Sequence, residues 1–139
     1  MSPQENKALV RRFVEEMQNA HDLDALDTFF SPDFVDHSGL SDPPTLEGSR
    51  GLFTMMFAAF PDMHFTIQQQ IAEGDQVVTL KTFHGTHEGT FMGIPATGKQ
   101  VEINNIDIFT VRDGKLAEHW AVGDFLGMLQ QIGAVPAPG

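Results

Sequence analysis

Apolar residues in the first sixty positions recur at the spacing of helices. The N-terminal stripe repeats at intervals of three and four positions and comprises Leu9, Val10, Phe13, Val14 and Met17. Ser2 and Glu5 have the spacing of a capping box, so the first helix is expected to begin beside them. The pattern predicts a second helix that begins after Asp22 and ends at 31–33, and a third from Ser49 to Phe60.

Beyond Met63 the pattern changes to strands separated by glycine-containing turns. Three turns are expected, at 73–75, 97–99 and 113–115, and a short helix is expected over 125–131. Helices followed by hairpin-linked strands predict the α+β class, with the N-terminal helices packed on one antiparallel sheet. Such a sheet, curved into a cone, would enclose an apolar pocket between its inner face and the helices.

The register of the last hairpin, residues 101–122, decides which of its side chains meet. A two-residue turn at 113–114 would pair Arg112 with Lys115, which carry like charges. A three-residue turn with Gly114 in the left-handed position avoids that repulsion. We therefore expect the three-residue turn.

The expected register collects polar side chains on one face of the hairpin. It pairs Asp107 with His119 and Asn105 with Ala121, whereas the two-residue turn would pair Asp107 with Trp120. A carboxylate opposite an imidazole favours the protonated ring and fixes which nitrogen carries hydrogen. Asp107 and His119 are therefore our candidates for acid/base catalysis, with a purely structural hydrogen bond as the alternative. The opposite face would be apolar and would carry Ile106, Ile108, Leu116 and Trp120.

Further residues are candidates for binding a ligand beside this pair. They are Asn105, His37, Trp120, Phe57, Met92 and Asp124. The alternatives are a surface loop position for His37 and a cap on the last helix for Asp124. His84 and His87 have a spacing that can bind a metal, but no carboxylate with ligand spacing accompanies them, so we expect no metal.

Composition and charge narrow the class of ligand. The chain has 139 residues, of which 19 are acidic and 8 are basic, and its formal net charge is −11. This charge argues against nucleic acid or an anionic membrane as the partner. Cysteine is absent, no apolar run is long enough for a membrane span, and no nucleotide-binding or serine-hydrolase motif occurs. We expect a cytoplasmic protein that takes a small, neutral, apolar molecule.

Three motifs carry a resemblance to a known family. They are GTHEGTFMGIPATGK at 85–99, a DGK turn at 113–115 followed by EHW at 118–120, and LGMLQQIG at 126–133. With these motifs the chain resembles the SnoaL-like polyketide cyclases of the nuclear transport factor 2-like superfamily. The resemblance covers nearly the whole chain, so we expect one SnoaL-like domain over 1–133 and a flexible tail at 134–139.

The resemblance implies a cone-shaped α+β fold, a homodimer formed through the sheet and an internal pocket without a cofactor. The best-known members of the family close a ring of an aromatic polyketide ester by intramolecular aldol condensation. Their acid/base aspartate lies two positions beyond the histidine of the EHW motif, where this sequence has Ala121. Their glutamine and histidine on the preceding strand correspond to Asn105 and Asp107.

Three functions are consistent with these observations. The first is a SnoaL-like cyclase in which His119 removes a C–H proton beside a carbonyl and Asp107 holds the imidazole. In that reaction Asn105 or His37 would donate a hydrogen bond to the developing enolate oxygen. The second is a non-catalytic binding module for a small hydrophobic ligand. The third is another cofactor-free enzyme on the same scaffold, such as an isomerase, a dehydratase or an epoxide hydrolase.

Overall fold

The computed structural model describes residues 1–138 and begins with the predicted helix. Helix α1 spans Pro3–Phe13, and its capping box is confirmed because Ser2 and Glu5 each accept a hydrogen bond from the other's backbone N–H. One π-helical turn, Val14–Gln18, continues it. The apolar stripe of α1 faces the sheet and is buried.

The second predicted helix is shorter than the sequence pattern indicates. A 3₁₀ turn at Leu23–Ala25 leads into α2 at Leu26–Phe29, and strand β1 follows at once over Phe30–Asp36. The segment 31–33, which was expected to end a helix, therefore lies within a strand. Helix α3 spans Leu46–Ala59 and begins three residues earlier than predicted, where Thr45 accepts a hydrogen bond from the N–H of Gly48.

The remaining strands and the last helix follow the predicted order. They are β2 at His64–Glu73, β3 at Gln76–Thr86, β4 at Gln100–Arg112, β5 at Lys115–Gly123 and α4 at Phe125–Gln131. The α+β class with N-terminal helices on a curved sheet is confirmed. The sheet has the order β1-β5-β4-β3-β2, and β1 pairs with β5 in parallel, so it is not wholly antiparallel as expected. Strands β1 and β2 form its two edges, and within residues 1–138 the sheet does not close into a barrel.

The last hairpin differs from the expected register. Its turn has two residues, so that Arg112 and Lys115 pair, and Asp113 and Gly114 both have positive φ, of 53° and 73°. This turn matches the strand twist, because both positions accept the left-handed backbone. The pairing shifts by one residue between Val111 and Thr110, which leaves Ala117 as a β-bulge.

The bulge decides which residues share a face. Asp107 pairs with Ala121, and Phe109 pairs with His119. The predicted direct pair of Asp107 and His119 is therefore wrong, but both lie on the inner face as diagonal neighbours. Without the bulge, His119 would have turned to the outer face, because a shift of one residue reverses every side chain.

The outer face of the sheet combines apolar residues with polar ones such as Glu102 and Asn104. One residue predicted for this face lies elsewhere. Leu116 pairs with Val111 and is fully buried in the core, not on the outer face as expected. Exposed apolar side chains instead include Ile71, Ile106 and Val122, with exposed fractions of 56%, 47% and 79%. The tail adopts no helix or strand over 134–138, and Gly139 of the predicted flexible segment lies outside the described residues.

Candidate functional site

A cavity of about 250 Å³ lies between the helices and the inner face of the sheet. Phenylalanine and methionine form most of its walls, and among them are Phe13, Phe53, Met56, Phe65, Phe91 and Met128. Most polar side chains belong to one wall, where β1, β3, β4 and β5 contribute Asp36, Lys81, Asn105, Asp107 and His119. The cavity therefore combines an apolar interior with a single charged wall, which is the usual composition of a small-molecule site.

His119 lies between two carboxylates on this wall. Its Nδ1 is 3.2 Å from Asp36 Oδ1 and its Nε2 is 3.7 Å from Asp107 Oδ2. The first distance is a hydrogen bond, which follows from the direct parallel pairing of Asp36 with His119. The second is an ion-pair contact that is too long for a hydrogen bond, so the Nε2–H can still donate to a ligand.

Asp36 is fully hydrogen-bonded inside the protein. Its Oδ2 accepts from the Ser41 hydroxyl at 2.6 Å, and its Oδ1 accepts from the Ser38 backbone N–H at 2.9 Å and from His119. Burial alone would raise the pKa of Asp36, but the hydrogen bonds from His119, Ser41 and Ser38 hold it well below its ordinary value. Asp36 is therefore a permanent negative charge behind the imidazole.

Asp107 is paired through one oxygen only. Its Oδ2 accepts from the Lys81 ammonium at 2.8 Å, and both side chains are almost completely buried, at 2% and 1% exposed. Its Oδ1 is buried and has no hydrogen-bond partner within residues 1–138. Burial favours the neutral acid, but the charge of Lys81 and the interactions with His119 outweigh it and lower the pKa of Asp107. The carboxylate is thus ionised, with one oxygen unsatisfied.

The surroundings of His119 favour the imidazolium form. Burial by itself would lower the pKa of His119, but the interactions with Asp107 and Asp36 outweigh that effect and raise it above its ordinary value. Protonation also leaves the buried cluster neutral, with two carboxylates against His119 and Lys81. A neutral imidazole would leave one uncompensated negative charge beside an apolar cavity, which is unfavourable.

The structure places only some of the predicted ligand-binding residues at the cavity. Asn105 and Met92 line it together with Asp107 and His119. His37 and Trp120 are not among the lining residues. Their rings stack on each other, with a distance of 4.6 Å between the ring centroids.

Two further predicted positions have structural contacts instead. Phe57 lies outside the cavity lining and stacks on the ring of His21 at a centroid distance of 4.3 Å. Asp124 accepts a hydrogen bond from the N–H of Gly127 at 2.9 Å and so caps α4. The capping alternative considered for Asp124 is therefore correct.

Sequence reasoning missed Lys81, and of the neighbours Asp36 and His37 it selected His37. A signal for Asp36 was present: Phe34 is a buried strand residue, and alternation places Asp36 on the same face and His37 on the other. Lys81 gave a weaker signal. It falls in the inner-face register with Val77, Thr79 and Phe83, where a lysine requires a buried carboxylate partner.

The other histidines have structural contacts. His87 is fully buried, and its Nδ1 is 2.9 Å from the Thr97 hydroxyl, which ties together the ends of the long β3–β4 connection. His84 Nδ1 lies 3.5 Å from Glu102 on the neighbouring strand. Among residues 1–138, no three histidine, aspartate or glutamate side chains are grouped as metal ligands would be. None of the helices in this range combines the length and apolar character that crossing a bilayer requires.

An α+β scaffold that encloses an apolar cavity with one charged wall defines a class of proteins with a small-molecule site, whose function depends on the residues of that wall. The sequence of residues 8–132 matches the family model of the SnoaL-like polyketide cyclases. The chain therefore belongs to this family.

Individual relatives agree with this assignment. The chain is 27% identical over 129 residues to the aklanonic acid methyl ester cyclase DnrD of Streptomyces peucetius, covering 90% of this chain and 88% of that protein. It is 26% identical over 126 residues to the nogalonic acid methyl ester cyclase of Streptomyces nogalater, covering 83% and 88%. The structure of TsrD from Streptomyces laurentii superposes with a TM-score of 0.87 at 30% identity, covering 97% and 99% of the two chains.

Proposed function

We propose that the protein is a cofactor-independent ester cyclase that closes a ring by an aldol-type reaction within an apolar, polyketide-like ester. The single observation that carries this proposal is the Asp36–His119–Asp107–Lys81 cluster on the wall of an apolar cavity. The names of two relatives, both methyl ester cyclases, support the same substrate class.

The geometry supports roles opposite to those expected from the sequence. An imidazolium has no lone pair with which to remove a proton, so His119 acts as the acid and hydrogen-bond donor. Both oxygens of Asp36 already accept hydrogen bonds, whereas Asp107 Oδ1 has no partner within residues 1–138. Asp107 is therefore the base in this proposal, because its buried Oδ1 is a carboxylate oxygen that accepts no hydrogen bond within residues 1–138.

The proposed reaction balances without another reagent. Asp107 Oδ1 takes the proton from a carbon that is activated by neighbouring carbonyl groups. The enolate carbon forms a C–C bond to a ketone carbon of the same molecule, and the ketone oxygen takes a proton from His119. The proton on Asp107 then returns to His119, 3.7 Å away. No atom is gained or lost, so the product is an isomer of the substrate.

The strand pairing offers a reason why Ala121 does not abolish this chemistry. The family resemblance puts the usual acid/base aspartate at Ala121, and Ala121 pairs directly with Asp107. Side chains so paired have Cβ atoms about 5 Å apart on the same face. In this proposal the carboxylate of Asp107, on the neighbouring strand, replaces the usual aspartate in the same part of the cavity. The small side chain of Ala121 leaves space for the ligand.

A binding module is the second candidate function. It is favoured by one observation, that every charge of the cluster has an opposite charge within the protein. A cluster of this kind can hold a neutral ligand without chemistry. An isomerase or a dehydratase would use the same acid and base, so only the identity of the product distinguishes it from a cyclase.

We also propose a homodimer formed through the outer face of the sheet. Two apolar cross-strand rows support it, one from Leu80 through Ile106 to Val122 and one from Ile71 through Val78 and Ile108 to Trp120. Neighbouring rows of apolar side chains that form one continuous surface on a small protein are typical of an interface.

The proposed function is tested by incubating the purified protein with aklanonic acid methyl ester or nogalonic acid methyl ester. Liquid chromatography with mass spectrometry should find a product of unchanged mass and altered retention. Saturable binding of both esters without any product would support the binding module instead. A product that has lost water would indicate a dehydratase.

A further inference from the structure

The ammonium of Lys81 is buried against the cavity wall in contact with three different groups. We propose that Lys81 is a positioning residue of this site, whose ammonium, fixed by Gln18, holds the Asp107 carboxylate in the orientation and charge state that proton transfer requires. This inference rests on the proposed function in one respect, the assignment of Asp107 as the base.

The three contacts of Lys81 fix its ammonium in place. Nζ lies 2.8 Å from Asp107 Oδ2, 3.1 Å from Gln18 Oε1 and 4.3 Å from the centroid of the Phe65 ring. An ammonium has three N–H donors, so a carboxylate, an amide oxygen and an aromatic face can use all of them. Lys81 is 1% exposed and has no donor left for a ligand, so its effect on a reaction must pass through Asp107.

Gln18 reaches Lys81 from the helical layer. It is the last residue of the π-helical turn, in which Asn19 N–H bonds to the carbonyl of Val14. A π turn rotates the residues that follow it relative to an ordinary α-helix, and such turns occur frequently at functional sites. Gln18 is 5% exposed and lines the cavity. The interruption of α1 thus provides an uncharged acceptor for Lys81 and leaves its positive charge to Asp107.

The orientation of Asp107 follows from this arrangement. Lys81 on β3 and His119 on β5 are the titratable groups that face Asp107, and both approach its Oδ2. Asp36 on β1 faces His119 from the other side, and the helices contribute Gln18, which does not titrate. Two cations at Oδ2 favour the ionised carboxylate, and Oδ1 is buried and accepts no hydrogen bond within residues 1–138. Removing the Lys81 charge would leave His119 shared between two carboxylates.

The test compares three variants of the full chain. Lys81→Gln removes the charge but keeps a side-chain N–H for Asp107, Lys81→Arg keeps the charge, and Lys99→Gln removes an exposed lysine as the control. Two quantities are measured: the pH dependence of cyclisation of the methyl ester, and the titration of Asp107 followed by ¹³C-carboxyl NMR without substrate.

In Lys81→Gln we expect two midpoints to move to higher pH by about one unit or more, the scale of a lost contact charge. They are the midpoint of the acid limb of kcat/KM and the midpoint of the Asp107 titration seen by NMR. Lys81→Arg and Lys99→Gln should stay within about 0.3 unit of the wild type. An unmoved Asp107 titration in folded Lys81→Gln would overturn the inference. If circular dichroism shows that this variant does not fold, the titration of Asp107 in the wild-type protein is used instead. An Asp107 that titrates at the ordinary aspartate pKa in the wild type would also overturn the inference.

The NMR measurement separates this inference from the proposed function. If no ester is cyclised but the Asp107 titration moves as expected, the proposed function fails and overturns the catalytic part of this inference, while the control of the Asp107 charge by Lys81 is supported. If esters are cyclised and the titration does not move, the role of Lys81 fails alone.

Discussion

At the scale of single residues, the site depends on which atom of each charged group remains available. His119 has one nitrogen bound to Asp36 and the other 3.7 Å from Asp107, and these two carboxylates favour the imidazolium form, which carries an N–H on both nitrogens. Asp107 has one oxygen paired and one without a partner among residues 1–138. In the proposed reaction, a ligand therefore gives a proton to Asp107 and takes one from His119.

The first prediction concerns the catalytic pair. His119→Ala and Asp107→Asn should each lower turnover of the methyl ester by about two orders of magnitude or more, the scale of a lost acid or base. The double variant should be little worse than either single one, because residues that act as a unit are not additive. Liquid-chromatographic assays measure turnover, and His64→Ala, which removes an exposed imidazole, is the control. Full activity of a folded His119→Ala protein would refute the proposed mechanism.

The second prediction concerns stability against pH. The pKa of His119 is raised in the folded state, so its contribution is fully present below its ordinary pKa of 6.5 and is lost as the pH rises through the raised folded value. Urea unfolding between pH 6 and pH 9 should therefore show a larger loss of stability for the wild type than for His119→Gln. His64→Gln should follow the wild type. Parallel curves for all three proteins would mean that His119 is not protonated preferentially on folding.

At the scale of elements, α3 and the loop before it hold Asp36 in place. Ser38 and Ser41 of that loop bond to Asp36, and Ser41 also lies 3.2 Å from the Ser49 hydroxyl of α3. The loop can approach α3 because Gly48 has no side chain: a Cβ there would lie 1.7 Å from the Pro43 carbonyl oxygen.

The third prediction uses two glycines of the same helix. Gly48→Ala should destabilise the protein by about 1–3 kcal/mol, because the backbone of the loop must move. Gly51→Ala should stabilise it by about 0.5–1 kcal/mol, because a Cβ at Gly51 meets nothing within 4 Å and alanine favours helix. Chemical denaturation gives both values. Equal effects of the two substitutions would contradict the close approach of the loop.

At the scale of the whole molecule, the two faces of the sheet have different chemistry. The inner face carries the charged wall of the cavity, and the outer face carries exposed apolar side chains such as Ile106 and Val122. Because its net charge is −11, two copies of the chain repel each other. A dimer therefore requires apolar contacts on this face that outweigh the repulsion.

The fourth prediction tests that dimer. Light scattering at micromolar concentration should give about twice the chain mass of 15.3 kDa for the wild type and the single mass for Ile106→Glu. The loss is expected because a carboxylate in the centre of an apolar interface would be desolvated without a partner. Leu126→Glu, at an exposed apolar residue of α4, should remain a dimer. A monomeric wild type would refute the interface.

The sequence by itself determined the α+β class, the start of α1 at its capping box, the position of α4 and the family, because these depend on local periodicity, capping and contiguous motifs. It also identified Asp107 and His119 as inner-face neighbours, although by a register that is wrong. The β-bulge at Ala117, the parallel pairing of β1 with β5 and the π turn at Gln18 were decided only by tertiary structure. The parallel pairing brings Asp36 to the site from 83 residues away from His119 along the chain, and the pairing of β3 with β4 brings Lys81 to Asp107, 26 residues away. Pairing across such separations depends on how whole strands pack, and no local pattern of residues records it.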